Sequence, residues 1–127
     1  MSNLAVFDLK NCKTLFISSF FLTTLGFGTI INVPGDYSAI QAGIDAASDG
    51  DTVLVSAGTY VENITWPEIY GIKLIGSGEN QCIIDGDSLD SVIRFEWGLN
   101  EGTIDENTLI TGFTIQNGNA HVEEYPY

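Results

Sequence analysis

Apolar residues along the chain fall into short alternating runs separated by glycine, asparagine and aspartate, and this pattern predicts strands. The runs are Thr52 to Val55, Val61 to Trp66, Ile72 to Ile75, Cys82 to Asp85, Val92 to Glu96 and Leu109 to Gln116. Each is short and rich in β-branched or aromatic residues bounded by turn formers. Alternation places Ile93 and Phe95 on one side with Arg94 and Glu96 on the other, and puts Leu109, Thr111, Phe113 and Ile115 on one face. Only Ser38 to Ala47 has a helical period, with Ile40, Ile44 and Ala47 forming a stripe among alanines. Pro34-Gly35-Asp36 precedes that helix, Ser38 is its candidate cap, and Ser48-Asp49-Gly50-Asp51 ends it.

The spacing of the runs predicts a repeat. Ile72-Lys73-Leu74 and Ile93-Arg94-Phe95 share the order apolar, basic, apolar 21 residues apart, Thr52 to Val55 lies about 20 residues before the first of them, and Ile64 and Ile84 are 20 apart. Short strands recurring near 20 residues with glycine turns are the signature of a solenoid, in which a coil buries its apolar face only when neighbours stack on it. A β-sandwich is the competing arrangement, but it calls for tight hairpin turns, and the only Asn-Gly, Asn117-Gly118, lies near the end.

Composition narrows the picture. The 127 residues allow one domain, and 44% hydrophobic content supplies a core although the net charge is -13. Four scattered basic residues (Lys10, Lys13, Lys73, Arg94) form no footprint for nucleic acid. No charged residue occurs from Thr14 to Gly35, a run closing on Gly26-Phe27-Gly28, so residues 1–28 are expected to be a signal peptide cleaved after Gly28. A membrane anchor is the alternative, since the uncharged run could span the ~30 Å hydrocarbon core. The processed chain would carry 2 basic and 16 acidic residues and keep one cysteine, Cys82, expected to pack as a small hydrophobe. The expected organisation is signal peptide 1–28, N-terminal strand and helix 29–51, coils 52–118 and a polar tail 119–127.

Several motifs carry a resemblance. Val33-Pro34-Gly35-Asp36-Tyr37-Ser38-Ala39-Ile40-Gln41, the segment Asp45 to Val55, Ala57-Gly58-Thr59-Tyr60-Val61-Glu62-Asn63-Ile64, and Gly112-Phe113-Thr114-Ile115-Gln116-Asn117-Gly118 resemble the opening of secreted right-handed parallel β-helix proteins of the pectin-lyase-like superfamily. Gly58-Thr59-Tyr60 followed by Glu62-Asn63 is also similar to pectin methylesterases. The resemblance implies an all-β, right-handed parallel β-helix of about three coils with an amphipathic N-terminal capping helix, usually continued by many further coils. It transfers no catalytic residue, because the family's catalytic motifs belong to later coils.

Candidate sites have plain alternatives. Asp85, Asp87 and Asp90, with Glu96, partly follow a calcium-loop pattern and are candidate weak calcium ligands, although Leu89 and Asp90 replace the ligand and glycine that loop needs. The plain alternative is an acidic turn. Trp66 and Trp97, with Tyr60 and Tyr70, are candidate sugar-stacking residues or ordinary packing residues. Asp45, Asp49 and Asp51 suit turn chemistry. Arg94 is expected to be an outward solubilising group, and His121 lacks metal-binding partners nearby in sequence. Asn63-Ile64-Thr65 is a glycosylation sequon taken as coincidental, and Asn117 suits a stacked-amide turn.

No other cofactor is expected, and no convergent base, nucleophile and metal set is legible. The favoured expectation is a secreted or cell-surface, non-catalytic structural or adhesive module, the N-terminal part of a longer β-helix. The alternatives are an N-terminal piece of a polysaccharide-active esterase or lyase, and a carbohydrate-binding module. A polysaccharide is the candidate partner; nucleic acid and stable membrane insertion after leader removal are not expected. The isolated chain is expected to self-associate end to end through an uncovered apolar last coil.

Overall fold

A computed structural model describes residues 28–96 and 104–120. The segment expected to be a signal peptide (Gly28 excepted), Trp97 and His121 lie outside the described residues. The described chain is mostly strand: β1 (Ile30–Val33), β2 (Thr52–Val55), β3 (Gly58–Val61), β4 (Ile64–Trp66), β5 (Lys73–Gly76), β6 (Cys82–Asp85), β7 (Ile93–Phe95), β8 (Leu109–Thr111) and β9 (Thr114–Gln116). One short helix, α1 (Ile40–Asp45), separates β1 from β2.

Among the described residues all strand pairings are parallel, and they form three sheets in the orders β1-β2-β5-β8, β3-β6-β9 and β4-β7. From β2 onward the chain visits the three sheets in turn, so each strand pairs with the next one to reach its own sheet. No strand pairs with its immediate successor except β1, whose crossover to β2 carries the helix, as parallel neighbours require a long connection.

Alternation then builds one core from all three sheets. Ile31 and Val33, Val53 and Val55, Leu74, Cys82 and Ile84, Ile64 and Trp66 are buried together with Ile72 and Val92. Register aligns them in rows across the rungs, Ile31 on Val53 on Leu74 on Ile110 in the first sheet and Tyr60 on Ile84 on Ile115 in the second. Trp66 packs against Phe95 with ring centroids 5.4 Å apart and the rings tilted by 40°. Ile115 is inward in register yet 48% exposed, whereas Ile84 beneath it is fully buried.

The helix docks through Ile40 and Ile44, both fully buried and one turn apart. A small residue between them lets the helix sit close: a Cβ at Gly43 would lie 3.0 Å from Val33 Cγ2 and 3.2 Å from Val53 Cγ1, so those side chains would have to give by a few tenths of an ångström. The helix is shorter than the predicted Ser38 to Ala47, and Ser38 is not its cap. Ala39 holds the N-cap position without a side-chain bond.

Three other expectations are corrected. The run Leu109 to Gln116 is two strands, because Gly112 at φ 79 turns the chain from the first sheet to the second. Leu109 and Thr111 therefore face outward while Ile115 faces inward, and the four residues do not share a face. Val61 to Trp66 likewise breaks at Glu62-Asn63 between β3 and β4. The 21-residue match between Lys73 and Arg94 joins different sheets; Lys73 pairs with Thr52 and Leu109, and Arg94 with Thr65. Ile64 pairs with Ile93, 29 residues on, rather than with Ile84. Spacing in the first sheet runs 22, 21 and then 36 residues, as Ile30, Thr52, Lys73 and Leu109 stack.

Candidate functional site

The candidate calcium acids sit in and beside the turn after β6, and hydrogen bonds from neighbouring groups engage two of them. Asp85 accepts from Gln116 Nε2 at 2.9 Å, from Asn117 Nδ2 at 2.9 and 3.1 Å, and from the Asp87 N–H at 2.9 Å. The Gln116 amide first and the Asp87 N–H second hold the Asp85 carboxyl below its ordinary range; burial opposes them, and the Asn117 amide adds a lesser lowering. Asp85 is thus a bridge between rungs: its side chain ties β6 to β9 and the turn beyond. Asp90 pairs with Arg94, which also approaches Glu96 at 3.6 Å. Asp87 adopts φ 52, as Asn117 does at φ 53, which are turn conformations that aspartate and asparagine tolerate. Among the described residues no three histidine, cysteine, aspartate or glutamate side chains gather into a metal-binding group.

Among the described residues, the aromatic candidates Trp66, Tyr60 and Tyr70 form no ring contacts with one another. Trp66 is 1% exposed, with Phe95 against its ring, so its face is committed to the core. Its Nε1–H is buried with no hydrogen-bond partner. Tyr60 packs at the core margin and donates its hydroxyl to Ser56 O at 3.0 Å, while Tyr70 is 45% exposed. Burial is the main reason the Tyr60 phenol is pushed up from its ordinary range.

Cys82 is buried beside Ser56 O at 3.5 Å, and burial is the main cause of its raised thiol pKa, the condition of a packing cysteine. Asn63 Nδ2 donates toward three carbonyls, Gly86 O, Asp90 O and Ser91 O, at 3.2 to 3.3 Å. A glycan on that nitrogen would replace one of the two hydrogens that make these bonds.

The most organised polar constellation closes the N-terminal end of the sheets. Glu62, in the turn after β3, reaches the start of α1, where Oε2 accepts from the Ile40 N–H at 2.9 Å and Oε1 from the Gln41 N–H at 3.1 Å. A carboxylate from 22 residues downstream therefore does the work of the missing local cap. Gln41 in turn imitates a strand. Its Oε1 accepts from the Thr65 N–H at 2.8 Å and its Nε2 donates to Thr65 O at 3.0 Å, satisfying the outer edge of β4. Asp45 accepts from the same Nε2 at 2.8 Å.

On the first sheet Asp36 does the same for β1. Its Oδ2 accepts from the Asn32 N–H at 2.7 Å while its own N–H donates to Asn32 O at 2.7 Å. The Asn32 bonds are the main cause of the lowered Asp36 pKa. Unpaired strand edges invite association with other chains, and side chains fill two of them here. Asp49 and Asp51 complete the turn chemistry, but across rungs: Asp49 Oδ1 accepts from the Tyr70 N–H at 3.1 Å, and Asp51 from the Thr29 and Ser48 N–H groups at 2.7 and 2.8 Å.

Glu62, Gln41 and Asp36 stand in motifs of the sequence, but none of those motifs assigns them these hydrogen-bonding roles. For Glu62 and Gln41 the signal was the same 21 to 24 residue offset that links the strands, applied to polar positions, whereas Asp36 bonds Asn32 only four residues back. Chemically the constellation presents amides and carboxylates bonded to groups inside the fold.

The described residues define a class, parallel-stranded and mostly β, with one short helix among them. No protein-family model matches the chain, and no curated protein or solved structure matches it. Among the described residues no helix is long and apolar enough to cross a membrane.

Proposed function

We propose that the chain is the N-terminal part of a secreted or cell-surface parallel β-helix, a non-catalytic structural or adhesive module of the pectin-lyase-like kind. The observation that carries the proposal is the order in which the chain visits three parallel sheets, which supports a solenoid of stacked coils. The helix and its Glu62 cap support a closing role at the first coil, since they cover apolar side chains and edge groups that no earlier rung among the described residues covers. Ile115, inward yet half exposed, supports a further coil above it.

A structural role is favoured over an enzymatic one by how the candidate groups are used. Asp85 and Glu62 accept hydrogen bonds inside the fold, Asp90 pairs with Arg94, and the Trp66 face is in the core. Catalysis needs groups held ready toward a substrate, and spent groups do not supply that.

The test is incubation with methylated and demethylated pectin. We expect methanol and unsaturated chain ends to stay at the level of a blank, and surface labelling of intact cells to detect the protein. Release of either product would overturn the non-catalytic assignment, and labelling only after cell lysis would overturn the export.

A further inference from the structure

Asp51 is the buried charged side chain among the described residues, at 8% exposure, and it faces the start of the folded chain. Its Oδ1 lies 2.7 Å from the Thr29 backbone nitrogen. The group is held rigidly. Oδ2 accepts from the Ser48 N–H at 2.8 Å, the Asp51 N–H donates to Ser48 O at 3.0 Å, and the Asp51 carbonyl accepts from the Lys73 N–H at 3.0 Å. Thr29 is fixed as well, since its carbonyl accepts from the Thr52 N–H at 2.9 Å in line with the β1–β2 pairing.

A carboxylate taken out of water is stabilised far better by a cation than by one neutral amide. Position 28 shows a matching constraint. A Cβ there would lie 2.0 Å from Gly50 O, so the unprocessed chain needs glycine at the same place where a leader peptidase needs a small residue.

We propose that hydrolysis of the Gly28–Thr29 bond makes Thr29 the N-terminal residue and that its α-ammonium docks on the Asp51 carboxylate, locking the first strand. This rests on the export proposed above. In the step a leader peptidase adds one water across the peptide bond. Gly28 leaves as the carboxylate of the leader, and the Thr29 amine takes up a proton. An α-amino group ordinarily titrates near 7.7–8.0, so it is largely charged at neutral pH, and pairing with Asp51 extends that range upward. The other charged groups at this turn are Asp49, already bonded to the Tyr70 N–H, and Lys73, which lies in the outward row of its sheet with Thr52. Stability from the pair is full below the ordinary amino value and is lost as pH rises through the raised one.

The experiment is a double-mutant cycle in urea at pH 7 on four chains: the full chain and a chain beginning at Thr29, each with Asp51 and with Asp51→Asn. In the chain beginning at Thr29, Asp51→Asn should cost about tenfold more in the folding equilibrium than in the full chain, equivalent to about one pKa unit on the amino group. Acetylating Thr29, which restores a neutral amide in the place of Gly28, should abolish the excess. An equal or smaller cost in the shorter chain, an excess that survives acetylation, or failure of the Thr29 chain with Asp51 to fold where the full chain folds would each overturn the docking. N-terminal sequencing of exported protein tests the processing separately: a start at Thr29 supports it, and any other start overturns it while the cycle still decides the pairing.

Discussion

Replacing Gly112 by alanine probes the contact between successive rungs at its tightest point. Gly112 holds φ 79, and a Cβ there would lie 2.3 Å from Gly76 O and 2.9 Å from Gly76 C. Both neighbours are backbone, so no side chain can swing aside. Two costs add: about 1 kcal/mol for a non-glycine residue in the left-handed region, and about 1–3 kcal/mol for displacing packed backbone. The sum, about 2–4 kcal/mol, is a large share of the total stability expected for a domain of this size, about 5–10 kcal/mol.

Two further glycines separate the terms. Gly50 has φ 80 but nothing within 4 Å of its Cβ position, so Gly50→Ala should carry the conformational cost alone. Gly76, whose backbone is not in the left-handed region, would place a Cβ 2.3 Å from Gly112 O, so Gly76→Ala should carry the steric cost alone. In equilibrium urea unfolding with a slope of about 1 kcal/mol/M, Gly112→Ala should lower the midpoint by about 2–4 M and Gly50→Ala by about 1 M. Equal costs at Gly112 and Gly50 would refute the stacking of Gly76 on Gly112.

Glu62→Ala should lose about 1–2 kcal/mol by uncapping α1 from a distance, and Glu62→Gln, which keeps one carbonyl acceptor, should recover part of it; urea unfolding measures both, and a neutral Glu62→Ala would mean the helix ends are satisfied otherwise. The lowered Asp85 carboxyl gives stability that is present above its ordinary value of 3.8 and is lost as pH falls through the lower folded value. Titration followed by side-chain NMR should show Asp85 retaining its charge below that ordinary value, and Asp85→Asn should flatten the acid limb of a stability profile. Cys82 should resist a thiol reagent in native buffer and react fully in denaturant, since burial raises its pKa and blocks access; rapid native labelling would place it at the surface.

Strand positions were largely legible in the sequence because β-branched alternation and glycine punctuation act locally. Cys82 to Asp85 and Thr52 to Val55 are strands with the predicted limits. The corners were not. Gly112 and the Glu62-Asn63 step lie inside runs that look continuous, since an inward-facing residue on one sheet and another on the next sheet can keep an alternating sequence across a turn. Rung length was hidden for a related reason: the spacing from Lys73 to Leu109 is 36 residues where Thr52 to Lys73 is 21, so a fixed period joined Lys73 to Arg94 across different sheets. The helix was visible from Ile40 and Ile44, but its cap was not, because Glu62 acts through the tertiary fold from 22 residues away. For the acids, sequence shows charge and spacing but not partners. Gln116 and Asn117, 31 and 32 residues downstream, decide how Asp85 is used.

The parallel stacking of strands that follow one another through three sheets is tested most directly by proton NMR distances across the strands. Amide and α-proton contacts should link Ile31 to Val53, Val53 to Leu74 and Leu74 to Ile110, and Tyr60 to Ile84 to Ile115, in parallel register. Close α-proton to α-proton contacts between β2 and β3, or between β5 and β6, would instead show antiparallel hairpins and contradict the fold on which the proposed function rests.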